Sequence, residues 1–197
     1  MSPQDMRETL LARAVTVIAT EGLDKTTTKA ITTGTGINEG YIYRLFSDKE
    51  DLLAQAFTTL DEELAEKTMQ YVEVMYLPEP EFDLRCRVYF EALWKFLLGS
   101  REKCIAFVRY YYSPYFTKYS AEDHKRRFDP LVQTFRPAFK DEADVWMILN
   151  HILHVMLAFA VMVHNEQMPR EDHYSEHVFR VIYASVKQYF RTEEGDV

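Results

Sequence analysis

The residues of this 197-residue chain with reactive side chains are six histidines, two cysteines and a few serines near them. Five of the histidines lie beyond residue 150: His151, His154, His164, His173 and His177. The pairs His151/His154 and His173/His177 are spaced so that two imidazoles on one helix face can share a metal, with Glu171, Asp172 and Glu176 nearby as carboxylates. No H-E-x-x-H pattern or cysteine cluster accompanies them. Surface or interface histidines account for the spacing more simply, and no metal site is expected. Cys86 and Cys104 read as buried, reduced thiols rather than a disulfide or metal ligands. The sequence has no G-x-S-x-G elbow, Walker loop or dinucleotide fingerprint, and neither Ser113 nor Cys104 has a base at a defined spacing. The expectation is a protein that is not an enzyme and uses no cofactor.

A second set of residues offers hydrogen-bond donors instead of nucleophiles. The stretch "TTTKAITTGTGINEGYIYRLF", residues 26–46, holds three of the six glycines, two tyrosines and one arginine. It reads as helix, tight turn, helix, an arrangement in which the second helix enters the DNA major groove and the first supports it. Ile31, Ile37, Ile42 and Phe46 are spaced to fix the crossing, and "TGTG" supplies small residues so that the helices can approach closely. Thr28, Lys29, Tyr43 and Lys49 would place donors where phosphates pass. A helical corner with no DNA role explains Ile37 and Phe46 equally well. It leaves Arg44 and the two tyrosines, opposite the buried stripe, without a task.

These residues must be positioned by helices. Met6, Leu10, Leu11, Ala14, Val15 and Ile18 recur at three- and four-residue spacing, giving one apolar stripe that ends near Gly22. A short helix from about Thr28 to Thr33 follows, with Ala30 and Ile31 inward. Asn38 can cap a third helix, and Ser47 or Asp48 a fourth that carries Leu52, Leu53, Ala56, Phe57, Leu60 and Leu64. After Pro3 no proline occurs before "LPEPE", residues 77–81, which breaks the helix. Further helices are expected over 82–99, 101–112, 121–139 (interrupted by Pro130 and Pro137), 143–165 and 172–191. Alternation of strand type is absent, so the fold class is all-α.

Composition agrees with an ordinary globular chain, 47% hydrophobic and 27% charged. The formal charge of −8 has the wrong sign for a general nucleic-acid binder, so DNA contact must come from a local patch. Residues 1–50 themselves carry six Lys and Arg against seven Asp and Glu. The run 145–163 would just span a bilayer, but Asn150, His151 and His154 sit near its middle. A helix buried on two sides explains it better; no membrane partner is expected, and the protein is read as cytoplasmic.

Residues 7–57 resemble the N-terminal domain of TetR-type transcriptional repressors. The shared features are an opening helix ending in "EG", paired threonines before the second helix, "GI" at the turn, a "G-x-[LI]-Y-x-x-F" helix and an "SDKEDLL" restart. The resemblance implies that Thr28 and Lys29 touch the DNA backbone, Tyr43 and Lys49 bind phosphate, and Gly40, Tyr41 and Arg44 face the groove. Arg44 would be the base reader, since arginine can bond a guanine edge bidentately. The chain departs from the pattern at Glu39, often lysine in the family, at Leu45, often histidine, and at Thr32 and Thr35, commonly alanines. Glu39 can accept a bond from a cytosine amino group but costs affinity near phosphates.

The resemblance also divides the chain into a DNA-binding domain, 1–50, joined by a helix at about 48–76 to an effector-binding and dimerisation domain, 51–197. Eleven aromatic residues lie between Tyr89 and Tyr119. As pocket walls, the expected set is Tyr89, Trp94, Phe107, Tyr111, Trp146 and His151, for a small apolar or aromatic effector of unknown identity. As plain bundle core they need no ligand. By the resemblance, the last two helices of each subunit would form a four-helix homodimer interface carrying His154, Phe159, Val178, Ile182 and Tyr189. The expected function is a ligand-responsive regulator, a repressor binding a palindromic operator. The alternative is a helical ligand-binding or protein-interaction module with a degenerate DNA head.

Overall fold

The opening helix is held at both ends by its own sequence. In the computed structural model, which describes residues 2–78 and 81–191 apart from the side chains of Asp172 and His173, α1 spans Pro3–Glu21. Ser2 and Asp5 bond each other's backbone amides as a capping box, Pro3 opens the first turn, and Gly22 ends the helix. Leu10, Ala14, Val17 and Ile18 are buried, the stripe that spacing predicts.

The other helices are α2 (Thr28–Thr32), α3 (Ile42–Leu45), α4 (Lys49–Tyr71), α5 (Phe82–Leu97), α6 (Arg101–Tyr111), α7 (Pro114–Tyr119), α8 (Ala121–Phe135), α9 (Val145–His164) and α10 (Asp172–Val186). Among the described residues there is no strand, only an isolated bridge between Phe139 and Phe190. The all-α class holds.

Three details differ from the sequence reading. Residues 114–119 form α7, which hydrophobic spacing did not reveal; Pro114 in its first turn was the available signal. Pro130 does not interrupt α8, because Phe128, Leu131 and Phe135 are all buried and hold the helix through the missing donor. Pro137 instead lies in a short 3-10 turn, Arg136–Ala138. The third helix begins as a 3-10 turn, Glu39–Tyr41, and becomes α-helical only at Ile42.

Contacts divide the chain into two compact units, Met1–Leu64 with Ser100–Lys125, and Ala65–Gly99 with Arg126–Val197. In the first, α6 lies along α1, and Arg109 donates at the end of α1 to the carbonyls of Ala19 (3.0 Å) and of Ile18 (2.8 Å), the latter shared with the Gly22 amide. Phe57 stacks on Tyr110 at 4.7 Å and meets Phe116 edge-on at 5.5 Å. Beside this cluster Asp61 and His124, both fully buried, pair at 2.7 Å between α4 and α8. In the second unit α9, α10 and α5 pack around Phe90, Leu93, Trp94, Met156, Leu157, Val178 and Phe179.

Candidate nucleic-acid interface

The segment from Thr27 to Phe46 is a helix, a turn and a helix whose geometry is written largely by short polar side chains. Thr27 caps α2, accepting from the Ala30 amide at 3.1 Å. Thr32 bonds back to the Thr28 carbonyl (3.0 Å) and Thr33 to that of Lys29 (2.7 Å). Thr35 donates to the Thr32 carbonyl at 2.8 Å and accepts from the Ile37 amide at 3.0 Å, so it ties both sides of the turn. Thr32 and Thr35 are therefore fasteners of the turn.

Gly34 and Gly36 have φ of 80° and 74°, the left-handed region that β-carbons disfavour. A Cβ added at either would meet nothing within 4 Å. The expectation that these glycines allow close helix approach is thus corrected: the backbone angle requires them, and space does not.

Asn38 caps the second helix as expected, its side chain accepting from the Gly40 amide at 2.9 Å. Ile31, Ile37, Ile42 and Phe46 are all buried, which turns the opposite side outward. There Tyr43 is 62% exposed and Tyr41 37%, and Arg44, Gly40, Glu39 and Lys29 are exposed. The Arg44 guanidinium lies over the Tyr41 ring, 4.9 Å from its centroid, which restricts its orientations. Thr28 is half-buried, and its hydroxyl donates to Glu39 Oε2 at 2.9 Å. Lys49 opens α4, half-buried and 3.8 Å from the Glu50 carboxylate.

Arg7 is a positioning residue that sequence reasoning missed. From α1 its guanidinium covers the Phe46 ring (4.8 Å) and donates to the Leu45 carbonyl (3.2 Å) and to Gln55. It fixes the end of α3 against α1 and α4. A lone arginine on the polar side of the α1 stripe carries no local signal of that task.

The residues named for a pocket wall fall in two groups, one in each unit. In the first, Phe107 is buried against Phe57 at 5.0 Å, and Tyr111 lies half-buried on Phe116 at 4.1 Å. In the second, Trp94 stacks on Phe90 at 5.8 Å. Tyr89 meets Phe135 edge-on at 5.4 Å and donates to the Thr68 carbonyl at 3.4 Å. Burial raises the Tyr89 phenol well above its ordinary pKa, so it stays protonated. Trp146 is half-buried on α9, and His151 is exposed with Nε2 3.1 Å from Ser185 Oγ.

Of the expected dimer residues, His154, Phe159 and Tyr189 are half-buried. Val178 and Ile182 are only 3% and 4% exposed: with Phe179 and Val186 they form the stripe of α10 that faces the protomer interior. Val181, 58% exposed, is the apolar residue on the opposite side. The expectation that Val178 and Ile182 lie at a dimer interface is corrected accordingly, since their own chain covers them.

Among the described residues no group of three or more His, Cys, Asp and Glu can hold a metal; the His173 side chain lies outside them. Both thiols are free, and burial pushes Cys86 and Cys104 up to about 12, so neither is a thiolate near neutral pH.

The fold and this surface define an all-α protein with a helix-turn-helix domain at its N-terminus. The sequence model for bacterial regulatory proteins, tetR family, matches residues 10–56. Over the whole chain, a TetR family transcription regulator from Marinobacter aquaeolei VT8 superposes with a TM-score of 0.76 at 15% identity, covering 98% of this chain and 100% of the other. A putative TetR family regulator from Shewanella sp. PV-4 gives 0.75 at 15%, with 98% and 100% covered. The fatty acid degradation regulator FadR from Bacillus halodurans gives 0.65 at 16%, with 89% and 96% covered. No curated protein matches the sequence. The chain carries a TetR-type DNA-binding domain at its N-terminus, within the overall fold of TetR-family transcription regulators.

Proposed function

We propose that the chain is a cytoplasmic, ligand-responsive transcriptional regulator, a repressor that binds a palindromic operator as a homodimer. The observation that carries this is the outward display of Tyr41, Tyr43 and Arg44 on the second helix of a buried, matched helix-turn-helix, with Arg44 already stacked for presentation. Residues 1–50 act as the reading head and the remainder as the effector and dimerisation domain. Tyr43, Lys29 and Lys49 hold phosphates, and Arg44 reads a guanine edge. Thr28, whose hydroxyl is engaged by Glu39, reaches the backbone through its main chain at the start of α2.

The dimer face is the outer side of α9 and α10. Within Val145–His164 an 18-residue stretch has a mean hydropathy of 1.9, yet only 33% of it is buried in the protomer. This helix is long and apolar enough to cross a membrane, but a second subunit covers the same apolar face without lipid. Met147, Met162 and Val181, all exposed, would lie in that seam with His151 and His154. The effector is a small apolar or aromatic molecule held among aromatic residues of the larger domain, and it acts by favouring one head separation over another.

The test is binding of the purified protein to the DNA upstream of its own gene over a salt series. Specific binding that weakens with salt is expected. Arg44→Ala should lower affinity for the operator by about tenfold or more, and Tyr43→Phe by less. Unchanged affinity in both would overturn the interface. Weak, sequence-indifferent binding across a genome-wide selection would favour the module with a degenerate head.

A further inference from the structure

An acidic residue on the surface of a DNA-reading motif needs an explanation, because it repels every phosphate it passes. Glu39 opens the 3-10 turn that leads into α3, and its side chain is exposed. It is not loose: Oε2 accepts the Thr28 hydroxyl at 2.9 Å, across the turn from the first residue of α2. The backbone beneath it is fixed too, since the Asn38 side chain holds the Gly40 amide at 2.9 Å. The exposed carboxylate is therefore held with Oε2 committed to Thr28, which leaves Oε1 as its second acceptor.

Given the DNA-reading function proposed above, on which this rests, we propose that Glu39 is a specificity residue that selects cytosine in the operator half-site. A carboxylate only accepts hydrogen bonds. In the major groove guanine and thymine present acceptors, O6 with N7 and O4, which repel it. Adenine offers its N6 amino group but sets the N7 acceptor beside it. Cytosine N4 has an acceptor on one side only, the paired guanine O6, whereas adenine N6 lies between its own N7 and the paired thymine O4; the cytosine amino group therefore suits a carboxylate oxygen better. The Thr28 bond supplies the rigidity that turns a flexible acid into a reader. Arg44, stacked on Tyr41, selects guanine at a separate position. Binding then depends on two charges of opposite sign reading two different bases, and the acid also discourages non-specific DNA, where no amino group compensates it.

The experiment is selection of bound sequences from a random duplex library with the wild-type dimer, Glu39→Ala and Glu39→Gln. The wild type should return cytosine at one half-site position, disfavouring other bases there by about tenfold. Glu39→Ala should become indifferent at that position alone, keep its guanine preference, and bind non-specific DNA more tightly. Glu39→Gln should relax the position or shift it toward adenine. In the selected site, a cytosine analogue lacking the 4-amino group should weaken wild-type binding about tenfold and leave Glu39→Ala unchanged. If wild type and Glu39→Ala return the same base profile, or the analogue binds both like cytosine, Glu39 is only a strut to Thr28 and the inference is overturned while DNA reading stands. If the wild type enriches no sequence, DNA reading itself fails, and this inference with it.

Discussion

Arg7 is the residue that most directly couples the outer surface of the motif to its support. One guanidinium covers Phe46, donates to the Leu45 carbonyl at the end of α3, and reaches Gln55 of α4. Removing it loses a cation–π contact and hydrogen bonds from a half-buried site. Arg7→Ala should destabilise the protein by about 1–2 kcal/mol in denaturant unfolding. It should also weaken operator binding by more than the loss of one distant charge, because α3 loses its anchor. Arg7→Lys, which keeps the charge without the planar fork, should behave nearly like the alanine variant. Full rescue by lysine would show that charge alone matters there.

At the scale of the elements, the turn and the α5–α10 tie each make a separate prediction. Gly36 stands at φ 74° with open space around it. Gly36→Ala should cost about 1 kcal/mol from backbone strain, and Gly36→Asn clearly less, because asparagine tolerates the left-handed region. If crowding were the constraint, the larger asparagine would be the worse of the two, so melting both variants decides the matter.

In the second unit Glu176 of α10 accepts from Arg180 at 2.7 Å and pairs with Arg87 of α5. The Arg180 bond first, then the charges of Arg87 and Arg180, hold its carboxyl below the ordinary carboxylate range against partial desolvation. A carboxyl lowered in the folded state stabilises above its unfolded pKa, and that contribution is lost as pH falls through the lowered value. The stability gap between wild type and Glu176→Gln should therefore be present at neutral pH and close on acidification through the carboxylate range. A gap independent of pH would assign the effect to packing.

For the whole molecule, the proposed homodimer would cover the largely exposed α9 and Val181 of α10. Sedimentation should show a dimer. Val181→Glu should shift it toward monomer with little change in protomer packing, since Val181 contributes almost nothing to the core. A monomer at all concentrations for the wild type would overturn the dimer. A Val181→Glu dimer as tight as the parent would move the interface elsewhere.

The sequence by itself determined the helical class, the order and approximate bounds of most helices, and the DNA-binding motif. Those depend on local rules: apolar residues at three- and four-residue spacing, capping side chains such as Thr27 and Asn38, and glycines where the chain must turn. The outward set Tyr41, Tyr43 and Arg44 followed from the buried set Ile42 and Phe46 by helical geometry alone. α7 escaped because six residues are too few to show a period. Arg7, the Thr28–Glu39 bond and the Asp61–His124 pair escaped because their partners are 38, 11 and 63 positions away, distances no local pattern encodes. The side of α10 that faces inward was likewise undecided until Phe179 packed against Phe90 and left Val181 outside. Spacing names the apolar residues of a helix, but only the neighbours it meets in space decide which of them are covered by the same chain.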